Sequence, residues 1–575
     1  MKNTVIVFLI FSFANAYAQS WQKAVMQHDG SIKTIPVEVN IQQSFDKSLD
    51  QIQGFPIAFV ANPSFKNMRN VTLHDITSDG IPEIIFAVND TLFVYAKDSL
   101  LWKRKVIGTA VYPPSVADIT GNGDPDIVLT TGGVPAAGRV YAFDKNGNIH
   151  TGWPVNFNNN WMICAAALSD LNNDGKCEVI VCERISPNGR VHILKHDGTS
   201  MNTNWPVTLN GIPAVTPSVG DVDGDGQKDI VVNSTNARYV FDLNGNVKSG
   251  FPLVTEPGQK YSYQSPVLAD FNNDNTLEIT GSSHGDSPQY YVTQHNGLSF
   301  PGWPVSVPGS SWTYSPPTIV KLNNSWNIFM SRPIGETPDE MLFGWDSSGV
   351  MLSGFPIVKA GGLEGVICVA NINNDQNFEL VFGSNLLDAT GYGFIHAYSI
   401  GSSTELPGFP IRPRGWTFMN GASINDVNGD GMMNLVVLSY TNNFGAGTDS
   451  IYINVYDLQQ PYSTESVLWG TYKGSNNRTG LFDDVETSVN VFGEIENKLH
   501  VYPNPAIDMI EIQIANDSRL NNIKVFDETG RQFISVPVSS MQKCSLDVSA
   551  LKSGIYYITA QCNNGHLYSG MFMKQ

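Results

Sequence analysis

The sequence predicts an all-β repeat fold, and three observations carry that prediction. An acidic cassette recurs about every fifty residues along most of the chain. Short β-branched and aromatic stretches, bounded by turn residues, separate the cassettes. Charged residues are scarce at 15%, whereas Gly (52), Pro (32) and aromatic residues (11%) are plentiful. That balance suits short strands and tight turns, and it excludes a coiled coil, a helical bundle or a disordered chain. A length of 575 residues leaves room for one large repeat domain and a small second one. The 34 basic and 53 acidic residues leave a net charge of −19. Such a surface repels nucleic-acid phosphates and anionic lipid, so no nucleic-acid partner is expected.

The first segment reads as an export signal. Lys2 supplies a positive start, and Val5 to Phe13 is an apolar run too short to span a bilayer. Ala16-Tyr17-Ala18 has the small-x-small form of a cleavage site, which places the cut after Ala18. No cysteine follows it to carry a lipid anchor, and no later run is long enough to cross a membrane. The expected organisation is a signal peptide at 1–18, a lead segment at 19–50, the repeat domain at 51–480, a linker at 481–496 and a terminal domain at 497–575. Cys164, Cys177, Cys182, Cys368, Cys544 and Cys562 are too few for a disulfide framework. Cys544 and Cys562 share the last region and either pair or stay free.

The repeat is clearest at Asp221-Val222-Asp223-Gly224-Asp225-Gly226-Gln227-Lys228-Asp229, followed by Ile230-Val231-Val232. Related runs start at Asp75, Asp118, Asp170, Asp270, Lys321, Asn371 and Asp426, at intervals of 43 to 55 residues. Each unit has a short apolar stretch before the run, β-branched residues after it, and an aromatic strand ending at Asp and Gly. It then closes on a G-[FW]-P element, as in Gly54-Phe55-Pro56-Ile57 or Gly152-Trp153-Pro154-Val155. Leu101-Trp102 and Trp469-Gly470 stand where degenerate copies are due. Four short strands per unit describe a β-propeller blade, with the proline in an outer edge strand. Eight cassettes predict eight blades, with seven as the alternative because the Lys321 copy lacks its acidic residues. The segment near Gly54, or the one near Trp469, is expected to add the outer strand that closes the ring.

The acidic runs have the spacing of a calcium loop. In the Asp221 unit, oxygen-bearing side chains at positions 1, 3, 5 and 9, with Gly at position 6 for the sharp turn, supply the hard ligands that Ca²⁺ takes six to eight at a time. A strand follows position 9, so the site is not a helical EF-hand. The candidate ligands are Asp75, Thr77, Asp79 and Glu83 in the first copy; Asp118, Thr120, Asn122, Asp124 and Asp126 in the second; and Asp170, Asn172, Asp174 and Glu178 in the third. Asp221, Asp223, Asp225 and Asp229 form the fullest set. Asp270, Asn272, Asp274 and Glu278 follow, then Asn371, Asn373, Asp375 and Glu379, then Asp426, Asn428 and Asp430. Asx-turns held by hydrogen bonds alone explain Asp-Gly turns, but clustered carboxylates repel one another unless a cation is present. The Lys321 copy, with Asn323 and Ser325, is expected to bind none.

These runs resemble FG-GAP repeats, the calcium-binding blades also found in integrin α chains, over about residues 51–480. The resemblance implies a propeller and calcium, and says little about activity. The terminal region reads Val501-Tyr502-Pro503-Asn504-Pro505, then Ile523 to Asp527, Gly530-Arg531, Leu551, Gly554-Ile555-Tyr556 and Lys574. Physically it is a small strand sandwich. It resembles the C-terminal sorting domain of type IX secretion cargo in Bacteroidetes, which implies engagement of that machinery and an outer-surface or secreted destination.

No G-x-S-x-G, H-E-x-x-H or Walker motif is present. His192 and His396 align with the mostly aromatic column Phe93, Tyr141, Tyr239, Tyr291, Phe343 and Asn454 and so read as packing residues. His284 fits no column and is the open candidate, with a solvated loop position as the plain reading. Two functions remain: a non-catalytic glycan-binding or adhesion module, or a secreted polysaccharide-degrading enzyme such as a propeller lyase. For the first, a ring of aromatics ahead of the metal loops, at Trp161, Tyr261, Tyr263, Trp312, Tyr314, Trp416 and Phe418, is the expected ligand face, since sugar rings stack on aromatic faces. The competing reading packs them between neighbouring blades.

Overall fold

The computed structural model describes residues 21–26, 32–37, 49–62, 68–132, 137–261, 263–306, 315–331, 340–358, 363, 365–373, 375, 377–441, 449–482, 499–514, 520–527, 532–541, 543–562 and 567–575. The expected signal peptide lies outside these residues. The chain divides into two compact units, Met1–Thr487 and Ser488–Gln575.

Four-stranded antiparallel sheets build the first unit. In the Asp221 sheet, Ser218–Gly220, Asp229–Asn233, Ala237–Phe241 and Leu253–Val254 pair in chain order. The second strand, Ile230-Val231-Val232, is buried on both faces. That explains its unbroken β-branched run, because a sheet covered on both sides needs no polar alternation. Among the described residues there are eight such sheets in this unit, and each acidic cassette joins the first and second strands of one of them. The architecture is all-β and propeller-like.

Neighbouring sheets are joined at two radii. Near the centre, a side chain on or beside a first strand hydrogen-bonds the backbone next door: Thr72 Oγ1 to Pro114 O at 2.6 Å, Ser115 Oγ to Ala166 O at 2.6 Å, Ser218 Oγ to Pro266 O at 2.6 Å, and Thr318 Oγ1 to Ile367 O at 2.9 Å. Farther out, the G-[FW]-P element makes the joint. The indole Nε1 of Trp102, Trp153, Trp205 and Trp303 donates to a backbone oxygen in the next sheet's third turn, at Lys145, His196, Leu243 and Ser347. Trp102 thus acts as the degenerate copy its position predicts. The glycine is required as well. Gly152 has φ +91°, and a Cβ there would sit 1.9 Å from Asp197 O.

The last two sheets draw strands from elsewhere. Ile57–Ala61, just after Gly54-Phe55-Pro56, pairs with Asp449–Pro461 as the outer strand of the Asp426 sheet. Of the two candidates for that role, the Gly54 segment fills it. Val467–Trp469 does something else: it pairs with Cys368–Ala370 on the inner side of the Asn371 sheet. Trp469 is therefore not a degenerate outer strand. The lead segment forms a hairpin, Trp21–Met26 with Ile32–Val37, against Leu386–Leu387.

From Ser466 to Phe482 the chain runs along the first strands of the sheets, and its carbonyls take up amide donors there. Ile424 N bonds Gly470 O, Val116 N bonds Asn476 O, Leu168 N bonds Asn477 O, Val219 N bonds Thr479 O and Leu268 N bonds Gly480 O, at 2.7 to 3.2 Å. An innermost strand has a free edge, and buried edge amides need acceptors. Tyr472, Lys473 and Arg478 of this segment are fully buried. Tyr472 Oη reaches Thr216 and Ser265, Lys473 Nζ reaches Pro217 O at 2.6 Å, and Arg478 bonds Thr72 Oγ1 at 2.7 Å.

The second unit has one sheet of Leu499–Tyr502, Met509–Ile514 and Lys543–Asp547. The other contains Gln532–Met541, Leu520–Asp527, Gly554–Cys562 and Leu567–Lys574. Ile510, Ile512 and Leu546 of the first sheet meet Ile523, Val525, Ile558 and Phe572 of the second in one core. Cys544 carries a free thiol. No helix among the described residues is long and apolar enough to cross a membrane.

Candidate metal loops

The loops share one backbone scaffold. The first-position Asp accepts the amide of position 6: Gly80 from Asp75, Gly123 from Asp118, Gly175 from Asp170, Gly226 from Asp221, Asn275 from Asp270 and Gly431 from Asp426, all at 2.7 to 2.9 Å. The ninth-position oxygen accepts the amide of position 2, as in Val222 N to Asp229 Oδ2 at 3.1 Å and Phe271 N to Glu278 Oε2 at 2.8 Å. Glu83, Asp126, Glu178, Glu379 and Asn434 do the same. Part of each set of carboxylate oxygens therefore builds the turn, and the remaining oxygens are what a cation can use. At Lys321 the run is replaced by a tight hairpin whose turn, Asn323 and Asn324, lies in the left-handed region.

Carboxylates converge most in the Asp221 loop. Oxygens of Asp221, Asp223 and Asp225 lie within 4.8 Å of one another. An ammonium group also stands among them. Lys248 Nζ is 2.6 Å from Asp223, 3.0 Å from Asp225 and 3.3 Å from Asp229. Burial alone would lower the Lys248 pKa, but the hydrogen bonds to Asp223 and Asp225 and the charge of Asp229 raise it. Burial pushes the Asp229 carboxyl up to about 6 despite Lys248. The Asp118 loop is similar: Lys145 Nζ lies 2.8 Å from Asp124, and His150 Nε2 lies 2.6 Å from Asp126.

Among the described residues no ion pair is seen to the carboxylates of the Asp270 loop, although Lys321 Nζ lies 3.5 Å from Asn273 Oδ1. Glu278 is buried, its Oε2 caps Phe271, and its Oε1 has no hydrogen-bond partner. Burial pushes this carboxyl up to about 7, with Asp274 and Asp270 adding to the rise and the Phe271 amide opposing it. An orphaned buried carboxylate oxygen beside Asp270, Asn272 and Asp274 fits a hard cation with oxygen ligands. Burial likewise raises Glu83, Glu178 and Glu379. In those loops the second glutamate oxygen lies near Thr77, Asn172 or Ser399. In the Asn371 loop, Asn373 Nδ2 turns to Asp375, and in the Asp426 loop Asn428 Nδ2 turns to Asp430. Thr120 reaches back to Asp118, while Asn122 accepts the Asp124 amide.

The expected aromatic face does not form as one set. Trp416 and Phe418 are fully buried, edge to face at 5.9 Å, with Phe418 against Tyr440. Neither offers a face to a sugar, because the connection that carries them runs between two sheets. Trp161 lies half-buried beside the Arg184 guanidinium, and Tyr261 is half-buried 4.6 Å from that of Arg238. Tyr263 lies near His284. Trp312 and Tyr314 lie outside the described residues.

His192 pairs with Glu183 at 2.9 Å and meets Phe157 edge on; His396 pairs with Glu405 at 2.5 Å. His284 is buried in a short strand pair with Lys260 and is not solvated. His74 meets Asn476 of the stretch from Ser466 to Phe482. Sequence reasoning missed Lys145, His150 and Lys248. The available signal was that the two loops ending in Asp126 and Asp229 are the ones followed, in the third turn, by His150 and Lys248.

Residues 118–181, 170–232 and 221–280 match the FG-GAP-like repeat, and residues 500–573 match the secretion system C-terminal sorting domain. No curated protein matches the chain. Among solved structures, the V. cholerae biofilm matrix protein Bap1 aligns at 14% identity over 92% of this chain and 89% of its own, with a TM-score of 0.29. The Dos1 propeller aligns at 13% over 70% and 96%, with a TM-score of 0.40. The Pseudomonas aeruginosa PilY1 C-terminal domain aligns at 12% over 76% and 91%, with a TM-score of 0.32. The chain carries FG-GAP-like repeats and a type IX secretion sorting domain, which marks it for secretion or the outer surface.

Proposed function

We propose that this exported FG-GAP-repeat chain is a calcium-stabilised, eight-bladed propeller that works outside the cell as a non-catalytic module binding a glycan or an extracellular protein. The observation that carries the reading is the repeated loop itself. Every acidic cassette joins the first and second strands of its sheet, so the loops emerge on one face of the ring. Glu278 holds out a buried oxygen for which a cation is the natural partner. Eight sheets with their first strands side by side, the last one (Ser423–Asn425) adjoining the first (Thr72–His74), support eight blades rather than seven. Calcium, when bound, neutralises the clustered carboxylates and ties positions 1, 3, 5 and 9 of a loop together. The protein supplies those oxygens on a backbone already turned by its own hydrogen bonds.

A binding role is favoured over a lyase role by what the buried acid–base groups are doing. His192 and His396 are each tied to a glutamate, and Lys473 and Arg478 are tied to backbone and hydroxyl oxygens of the ring. The test is a glycan array read with calcium and with chelator, run beside an assay for unsaturated products on acidic polysaccharides. Calcium-dependent retention without product supports the reading; product formation overturns it in favour of the enzyme. We also propose that the mature chain starts at Gln19 and loses its sorting domain at a point somewhere beyond Gly480. Mass spectrometry of surface and supernatant fractions tests both ends.

A further inference from the structure

The third turns of the sheets hold one position that divides the loops into two classes. His150, Met201, Lys248, Phe300, Leu352 and Leu406 are equivalent by backbone geometry. Each donates its amide to the same point of the third strand, at Ala142, Ile193, Val240, Val292, Gly344 and Ala397, at 2.9 to 3.0 Å. Where the loop ends in Glu178, Glu278 or Glu379, this position is apolar: Met201, Phe300 and Leu406 pack into the core. Where it ends in the shorter Asp126 or Asp229, the position is basic, and His150 and Lys248 reach the carboxylate at 2.6 and 3.3 Å. One methylene fewer in the loop is thus matched by a side-chain nitrogen from the turn.

We propose that Lys248 is the built-in counter-cation of the Asp221 loop. The loop richest in aspartates is filled by an ammonium group of its own sheet, and the divalent cation goes first to glutamate-ended loops, foremost the Asp270 loop. The inference rests on the calcium reading above. Lys248 touches Asp223, Asp225 and Asp229, three of the four side chains that a metal in this loop would need. A Ca²⁺ ion and an ammonium group compete for those same oxygens, and like charges at such spacing repel. The Asp270 loop shows the converse. Phe300 covers the position, and among the described residues no cationic side chain pairs with Glu278 and Glu278 Oε1 has no hydrogen-bond partner.

Lys248→Met is the informative variant, because Met201 already fills the equivalent place in the Asp170 sheet. The mature protein is melted in chelator and in calcium, and bound calcium is counted by equilibrium dialysis with Lys248→Arg alongside. The expected result is a lower melt than wild type in chelator, a larger recovery in calcium, and one additional calcium equivalent, bound at least tenfold tighter than the Asp221 loop binds it in the wild type. Lys248→Arg is expected to behave as wild type. Equal melts and equal stoichiometry for wild type and Lys248→Met overturn the proposal, as does a lost melt with no added calcium. If the wild type binds none and Lys248→Met binds one, the general calcium reading fails and the lysine assignment stands. If neither binds, both fail.

Discussion

Ser423 Oγ donates to the carbonyl of Val71 at 3.2 Å, across 352 positions of sequence, and so fastens the last sheet of the first unit to the first. Thr72, Ser115, Ser218 and Thr318 make the corresponding bond between other neighbours. Removing any of these hydroxyls takes a hydrogen bond from a buried backbone carbonyl. Ser115→Ala is expected to cost about 1–2 kcal/mol, read from the denaturant midpoint at an unchanged slope. A change near zero would show that this belt does not hold the sheets together.

Chelation is expected to lower the melting temperature, because a ligand bound only by the folded chain stabilises it by about 2.7 kcal/mol at a hundredfold excess over Kd. Glu278→Gln should remove more of the calcium-induced gain than Asp225→Ala, since Asp225 already shares Lys248. Calorimetry with and without calcium decides the order, and the reverse order speaks against the Asp270 loop as the leading site.

The pH response of the metal-free protein follows from Glu278, raised from 4.5 to about 7, and Asp229, raised from 3.8 to about 6. A carboxyl with a raised folded pKa binds its proton more tightly when folded. Its stabilising contribution is complete below the unfolded value and is lost as pH rises through the folded one. In chelator, stability is therefore expected to fall between about pH 4.5 and 7, by on the order of 3 kcal/mol at most from Glu278. Glu278→Gln should flatten this slope. Calcium should oppose it, because the ion takes the ionised form. Rising stability over that window in chelator would contradict the assignment.

Trp416→Ala is expected to cost about 3–5 kcal/mol, as for other fully buried large aromatics. Its effect on ligand retention should follow the lost folded fraction and nothing more. Trp161→Ala, at a half-buried site, should cost less.

Arg478→Ala should be among the most damaging single changes. The guanidinium serves Thr471, Tyr472 O, Ser475 O and Thr72 at once, so its loss strands several buried acceptors. A loss of roughly 3 kcal/mol or more is expected from hydrogen-bond deletion of this kind. Chemical denaturation measures it.

Much of this architecture is legible in local pattern. Strand, loop and G-[FW]-P recur at fixed spacing, because each sheet solves the same packing problem with the same residues. Gly54-Phe55-Pro56 announced an outer strand before any sheet was available to receive it, and Ile57–Ala61 is that strand. What the pattern hides is anything that depends on who the neighbour is. Trp416 and a surface aromatic look alike until the sheet beside it is known. Trp469 carries the residues of an outer element but lies at an inner edge, because first-strand amides there need acceptors. Lys248 looks like one more exposed lysine until the third turn folds back over the Asp221 loop. Position 9 hinted at it, since glutamate and aspartate differ in reach by one methylene.

The strand Ile57–Ala61 also bears on quality control during export. It is made early, and its partner, Asp449–Pro461, is made only near the end of the first unit. A product terminated ahead of Asp449 keeps Ile57–Ala61 as an unpaired edge carrying Phe59 and the exposed Val60. Free edges of this kind invite strand addition by another chain or attack by proteases. Only a polypeptide that extends through Asp449–Pro461 buries its own beginning, so molecules that end earlier carry a visible mark that a protease needs no specific sequence to find.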